Sequence, residues 1–116
     1  EIQVHSPDGA FYLFLDFSLV SAKLKNKGIT SGTKLCEQLL QDTGVAILPG
    51  EAFQVPAEKL TARLAFVNFD GAKALSASET IPLNEDLPND FAEKYCLTLI
   101  EGMKEIAHWT KNTCKL

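Results

Sequence analysis

The sequence predicts a small α/β domain, an α+β sandwich in which helices cover one face of a mixed or antiparallel sheet of about three to four strands. Three observations predict it. Short apolar runs bounded by glycine and proline alternate with stretches of helical periodicity. The composition, 46% hydrophobic and 22% charged, is ordinary for a globular protein. The length of 116 residues fits one unit, so we expect residues 1–116 to form a single domain.

The apolar runs predict the strands. Residues 2–4 can form a short strand, and the aromatic-rich run at 11–17 is typical of a strand buried on both faces. Residues 45–48 and 60–69 predict two more strands. The loop between these last two is too short for a helical crossover, so we expect them to be antiparallel if they pair.

The remaining segments predict helices and connections. Residues 18–30 are polar and suit a connection with one helical turn. Ser31 is a suitable N-cap for the helix that follows, and Gly44 is placed to end it. Asp70 can cap a short helix over residues 71–77. A long final helix is expected from about Pro88, because apolar residues then recur every three to four positions.

Charge and cysteine content exclude several classes of function. The net charge of −4 and the scattered lysines argue against nucleic-acid or anionic-membrane partners. No segment approaches the ~20 apolar residues of a membrane span. The three cysteines form no CxxC pair, and the two histidines are isolated, so we expect neither a metal site nor a disulfide framework. This cysteine usage favours a reducing compartment, cytoplasmic or organellar. Because Cys114 lies near the end of the sequence, we expect its side chain to be exposed.

The fourth strand carries the candidate binding residue. Alternation places Arg63 between Thr61 and Ala65 on the face opposite Ala62 and Leu64. A guanidinium in an apolar strand needs a partner, and its planar fork matches a carboxylate. Two alternatives remain on the residues alone: a structural salt bridge to one of the fifteen acidic residues, or an edge arginine that reaches water.

Three motifs carry a resemblance to a known family. Residues 7–14, PDGAFYLF, resemble the P-x-G-A-F-Y-x-F opening of the C-terminal small domain in class I (fold type I) pyridoxal-phosphate aminotransferases. Residues 35–50, with TGVAILPG at their end, resemble that family's LL and GVA-x-x-PG segment. Residues 60–64, LTARL, resemble its L-x-x-R-L strand. The order and spacing of the three motifs agree.

The resemblance implies a function and a site. Such enzymes transfer an amino group between an amino acid and a 2-oxo acid through pyridoxal 5′-phosphate bound to a lysine. Arg63 matches the arginine that binds the substrate α-carboxylate. Phe11 matches an aromatic that lies beside it, although a core role in the strand is an equal alternative. The loop departs from the family's PGSxFG pattern at Glu51 and Gln54, so the resemblance does not define the shape of the substrate entrance.

The resemblance also implies what residues 1–116 lack. The cofactor lysine belongs to the large domain, in a context such as S-x-S-K, and Ser21-Ala22-Lys23 does not match it. We therefore expect no catalytic, cofactor-binding or metal-binding residue here, no bound cofactor and no activity of the segment alone. The expected partners are the large domain of the same chain and, for the full-length enzyme, a second copy in a homodimer. The alternative hypothesis is a stand-alone regulatory module that binds an amino acid without catalysis.

Overall fold

The α/β architecture is confirmed by a computed structural model, which describes residues 1–115. This part of the chain forms four strands and five α-helices, with short 3₁₀ turns between some of them: β1 (Gln3–Val4), β2 (Tyr12–Asp16), α1 (Ser21–Asn26), α2 (Gly32–Thr43), β3 (Leu48–Pro49), β4 (Thr61–Ala65), α3 (Gly71–Ser78), α4 (Phe91–Tyr95) and α5 (Leu97–Cys114). Among residues 1–115, no helix is both long and apolar enough to cross a membrane.

The strands form one antiparallel sheet in the order β1-β2-β4-β3. The predicted antiparallel pairing of the last two strands is confirmed, because Leu48 of β3 lies opposite Arg63 of β4. In the centre of the sheet, β2 pairs with β4 so that Phe14 is also opposite Arg63. Arg63 therefore has a strand on each side, and its neighbours across the sheet are fixed by this register.

Helices cover only one face of this sheet. Side chains from β2 and β4 pack there against the helices in one core, which includes Leu15, Phe17, Ala62, Leu64, Leu24, Leu35, Leu39, Ile106 and Trp109. The prediction that the second strand is buried on both faces is wrong. Phe14 points to the other face and is 37% exposed, and Phe11 is 50% exposed. No helix of the core lies over that face, so alternate residues of β2 remain accessible.

The predicted helix caps are confirmed. The Ser31 hydroxyl accepts a hydrogen bond from the Lys34 N–H at 3.2 Å, and the Asp70 carboxylate accepts one from the Lys73 N–H at 3.0 Å. Gly44 ends α2 with a φ of 76°, a left-handed conformation that glycine adopts without the steric cost of a Cβ atom.

The predicted boundaries of two strands are wrong. The third strand is only Leu48–Pro49 rather than residues 45–48. The Val45 N–H bonds the Thr43 hydroxyl instead of a neighbouring strand, and the proline is tolerated because β3 is an edge strand. The fourth strand, predicted to reach residue 69, ends at Ala65; the next backbone hydrogen bond, from the Phe66 N–H to the Phe11 carbonyl at 3.0 Å, lies beyond the register of β2 and β4.

The predicted long final helix is also interrupted. Cys96, with φ −129° and ψ 37°, separates α4 from α5. The spacing from Tyr95 to Leu99 continues across this break, so apolar periodicity could not reveal it. A further correction concerns Cys114, expected to be exposed, which is buried on the last turn of α5.

One long-range hydrogen bond joins two of the helices over the core. The indole N–H of Trp109 on α5 donates to the Asp42 carboxylate on α2 at 2.7 Å. The second carboxylate oxygen of Asp42 accepts from the Gln38 amide at 2.9 Å. Since Trp109 is otherwise buried, this bond satisfies its polar atom and fixes α5 against α2.

Candidate functional site

Arg63 lies on the open face of the sheet in an aromatic setting. Its guanidinium carbon is 4.1 Å from the centroid of the Tyr12 ring and 4.1 Å from that of the Phe53 ring. Phe14 packs edge-on against Phe53, with centroids 6.0 Å apart and planes at 77°. We call Arg63, Tyr12, Phe14 and Phe53 the Arg63 cluster.

Two elements bring the rings to the arginine. Tyr12 and Phe14 are two residues apart on β2 and therefore share the face that carries Arg63. Tyr12 lies opposite Ala65, whose small side chain leaves room for the ring. Phe53 comes from the 3₁₀ turn Gly50–Phe53, which we call the Gly50 turn.

The Gly50 turn lies close against β4 because it begins with a glycine. A Cβ atom on Gly50 would overlap the side chain of Thr61 and lie 3.2 Å from the Cβ atom of Val55. The turn ends at Gln54, which has a φ of 63°. This is the position where the resembled family pattern has glycine, and a glutamine there holds a left-handed backbone conformation at a steric cost.

Glu51 ties the same turn to α2. Its carboxylate accepts hydrogen bonds from the Thr33 N–H at 2.9 Å and the Thr33 hydroxyl at 3.1 Å, at the first turn of the helix. Burial disfavours the charged carboxylate, but these bonds and N–H groups of Glu51 and Gly32 together hold the pKa of Glu51 below its ordinary value. The two departures from the family loop are therefore both structurally defined: Glu51 is hydrogen-bonded to α2, and Gln54 ends the Gly50 turn in a left-handed conformation.

Arg63 has no counter-ion within the described residues. Among residues 1–115 it makes no ion pair with an acidic side chain; the ion pair found there joins Lys104 to Glu93 at 3.7 Å. Its Nε atom is buried and has no hydrogen-bond partner within the described residues. The salt-bridge alternative therefore finds no support in this part of the chain. The rings stabilise the cation by cation–π contacts but leave its terminal Nη donors free for an external acceptor.

Phe11 does not itself contact the guanidinium. Its ring packs on Tyr12, with centroids 4.6 Å apart and planes at 50°, and it is half exposed. The aromatic residues that do contact Arg63, Tyr12 and Phe53, were missed by sequence reasoning. Tyr12 could have been found from its two-residue spacing to Phe14 on a strand beside β4. Phe53 carried no such signal, because a long-range approach of the Gly50 turn places it there.

The chain's other reactive groups lie outside this cluster. Burial raises the pKa of the Cys36 thiol to about 12, with the charges of Glu51 and Glu37 adding to the effect, so this thiol stays protonated. Burial likewise raises the pKa of Cys114. His5 and His108 are exposed, and His108 pairs with Asn112 at 2.8 Å. None of these groups is poised as a nucleophile or base.

A cleft of about 360 Å³ lies at another place, between α5 and the ends of β3 and β4. It is lined by side chains such as Ile47, Leu99 and Met103, with Asn68 and Thr98 at its polar positions, and by no ionisable residue. Its size alone does not make it the functional site, because it offers no charged group to a carboxylate.

All ten lysines are on the exposed surface, and none belongs to the Arg63 cluster. Within residues 1–115 no cluster of three metal-ligating side chains is present either. What the Arg63 cluster can do chemically is bind and orient an anion.

The class of protein that this fold and site resemble is the aminotransferases, and comparison with curated proteins confirms the resemblance. The chain is 44% identical over 55 residues to a probable aspartate/prephenate aminotransferase of Aquifex aeolicus (strain VF5). It is 39% identical over 54 residues to an aspartate aminotransferase of Pinus pinaster, and 43% identical over 49 residues to one of Rhizobium meliloti.

These matches cover part of each protein. They include 47%, 45% and 40% of this chain, in the same order, but only 13%, 11% and 12% of the length of the three relatives. No protein-family model matches the chain, and no solved structure matches it.

Proposed function

We propose that residues 1–116 form the C-terminal small domain of a larger pyridoxal-phosphate-dependent aminotransferase, and that Arg63 binds the α-carboxylate of its amino-acid and 2-oxo-acid substrates. The observation that supports this proposal most is the free guanidinium on the open face of the sheet. It has aromatic contacts at 4.1 Å, and residues 1–115 supply it with no counter-ion.

The electrostatic argument favours a bound anion. A guanidinium that is partly withdrawn from water gains from an anionic partner, and a carboxylate can accept two parallel N–H bonds from it. Orientation matters as much as affinity here, because transamination requires the α-carbon to be held next to the cofactor. The large domain of the same polypeptide would supply the lysine and the cofactor, and a homodimer is the proposed assembly.

Substitution of Arg63 in the complete polypeptide tests this function. Arg63→Lys keeps the charge but loses the planar fork, and Arg63→Ala loses both. We expect KM for the amino acid to rise about tenfold or more in the lysine variant and further in the alanine variant, with kcat falling as well. Steady-state kinetics checks this, with Lys59→Ala as a control for the loss of an exposed cation. Unchanged amino-acid kinetics in Arg63→Ala would overturn the assignment.

A second candidate function is a stand-alone module that binds an amino acid for regulation. The same free guanidinium supports it, because carboxylate binding needs no cofactor. The reading frame upstream of Glu1 discriminates between the two. A large domain with a pyridoxal-binding lysine supports the aminotransferase, whereas a start codon or an unrelated enzyme supports the regulatory module.

A further inference from the structure

Phe53 is the member of the Arg63 cluster that comes from outside the sheet, and its place in the structure is held from several directions. Glu51, two residues earlier, is hydrogen-bonded to the start of α2. Gly50 lets the turn approach Thr61 on β4. Phe14 contacts the ring from the neighbouring strand. A ring held in this way can restrain whatever lies against it.

The group that lies against the Phe53 ring is the Arg63 guanidinium. The face of an aromatic ring carries negative potential, so the Phe53 and Tyr12 rings attract the guanidinium and repel an approaching anion. An anion therefore cannot reach Arg63 from the sides where the rings lie. The Nε atom is closed off as well, since it is buried without a hydrogen-bond partner in the described chain. The terminal Nη groups are the donors that remain for a ligand.

We propose that Phe53, together with Tyr12, is a positioning residue that makes Arg63 present its two terminal Nη groups end-on to the ligand carboxylate. This inference rests on the proposed function, because it assumes that Arg63 binds a carboxylate. It adds that the Tyr12 and Phe53 rings set the direction from which the carboxylate approaches Arg63. Loss of one ring therefore weakens carboxylate binding although the charge of Arg63 is kept. Phe53 acts through Arg63 and does not touch the reacting atoms.

The sequence allows a direct test, because Arg63 is the only arginine. In a ¹H–¹⁵N spectrum of the 116-residue chain, one arginine Nε–H resonance is expected, and the two rings should displace it from its usual position. Titration with L-aspartate then reports on this group alone. The variants are Phe53→Leu and the conservative Phe53→Tyr, with Phe69→Leu as the matched control, since Phe69 is also a partly exposed phenylalanine and lies outside the cluster.

The proposal predicts a saturable shift of the Arg63 resonance in the wild-type chain. In Phe53→Leu the ring-induced displacement should be lost and the affinity for L-aspartate should fall about tenfold, the scale of one cation–π contact. Phe53→Tyr should restore both, and Phe69→Leu should change neither. Tyr12→Leu provides a second variant with the same expected direction, and the dispersion of the amide spectrum shows whether each variant is folded.

The outcomes separate this inference from the proposed function. Wild-type affinity in folded Phe53→Leu and Tyr12→Leu would overturn the positioning role and leave the carboxylate site intact. An Arg63 resonance that does not respond to L-aspartate in the wild-type chain would overturn both, because the arginine would then bind no carboxylate in this fold.

Discussion

At the scale of single residues, the strand pattern predicted the position of Arg63 but not its neighbours. Alternation along residues 60–67 placed Arg63 on the face opposite Leu64, and the structure confirms this. The rings of Tyr12 and Phe53, which lie 4.1 Å from its guanidinium carbon, were not predicted. These contacts depend on strand register and on a distant turn, which periodicity in one segment does not encode.

Glu51 shows how a departure from a family motif can have a stabilising role. Its carboxylate accepts N–H bonds at the start of α2, where the helix dipole also favours negative charge. We expect Glu51→Gln to lower the free energy of unfolding at neutral pH by about 0.5 kcal/mol, since the carboxylate is largely exposed and therefore screened by solvent. Urea unfolding measures this, with the exposed Glu105→Gln as the control.

The same substitution has a predictable pH dependence. Because the folded-state pKa of Glu51 is lowered, its stabilisation is fully present above the ordinary value of 4.5. The stabilisation is lost as the pH falls below that value and through the folded-state pKa. The difference between wild type and Glu51→Gln should therefore shrink in acid. A difference that grows in acid would show that the ionised carboxylate is not the stabilising form.

At the scale of elements, helix starts were easier to predict than helix continuity. Ser31 and Asp70 cap their helices through local hydrogen bonds three residues ahead, and such signals are readable in sequence. The break at Cys96 keeps apolar residues at helical spacing and is therefore hidden. Likewise, the extent of β4 depends on its pairing with β2, whose register ends at Ala65 and Tyr12, and this pairing is not visible within residues 60–69.

Substitution of glycine by alanine should change the free energy of unfolding in opposite directions at Gly50 and at Gly102. Gly50→Ala places a methyl group against Thr61, so we expect the free energy of unfolding to fall by about 1–3 kcal/mol. Gly102 lies within α5 with open space at its Cβ position, so Gly102→Ala should raise the free energy by about 0.5–1 kcal/mol.

Urea unfolding of the two alanine variants at one pH checks both signs. If Gly50→Ala is as stable as wild type, the turn does not rest against β4 as described, and the position of Phe53 beside Arg63 loses its explanation. Gly102→Ala serves as the matched control, since it makes the same chemical change at a site without close neighbours.

At the scale of the whole molecule, the described chain is more extended than a typical domain of its length. Its radius of gyration is 15.9 Å, whereas about 13 Å is expected for this number of residues. Several large apolar side chains from the end of β4 to the first residue of α5 are exposed, namely Val67, Phe69, Leu75, Leu83, Leu87 and Leu97. Apolar surface of this extent is typical of a region that another domain or subunit covers, which supports the proposal of a larger parent enzyme.

The central claim is that Arg63 binds a carboxylate, and a crystal structure of the 116-residue chain grown in saturating L-aspartate tests it most directly. We expect one carboxylate of the ligand to lie end-on to the Arg63 guanidinium, with both oxygens about 2.7–2.9 Å from the terminal nitrogens. Tyr12 and Phe53 should still flank the cation. A ligand bound away from Arg63, or an Arg63 paired instead with a carboxylate of its own chain, would contradict the account.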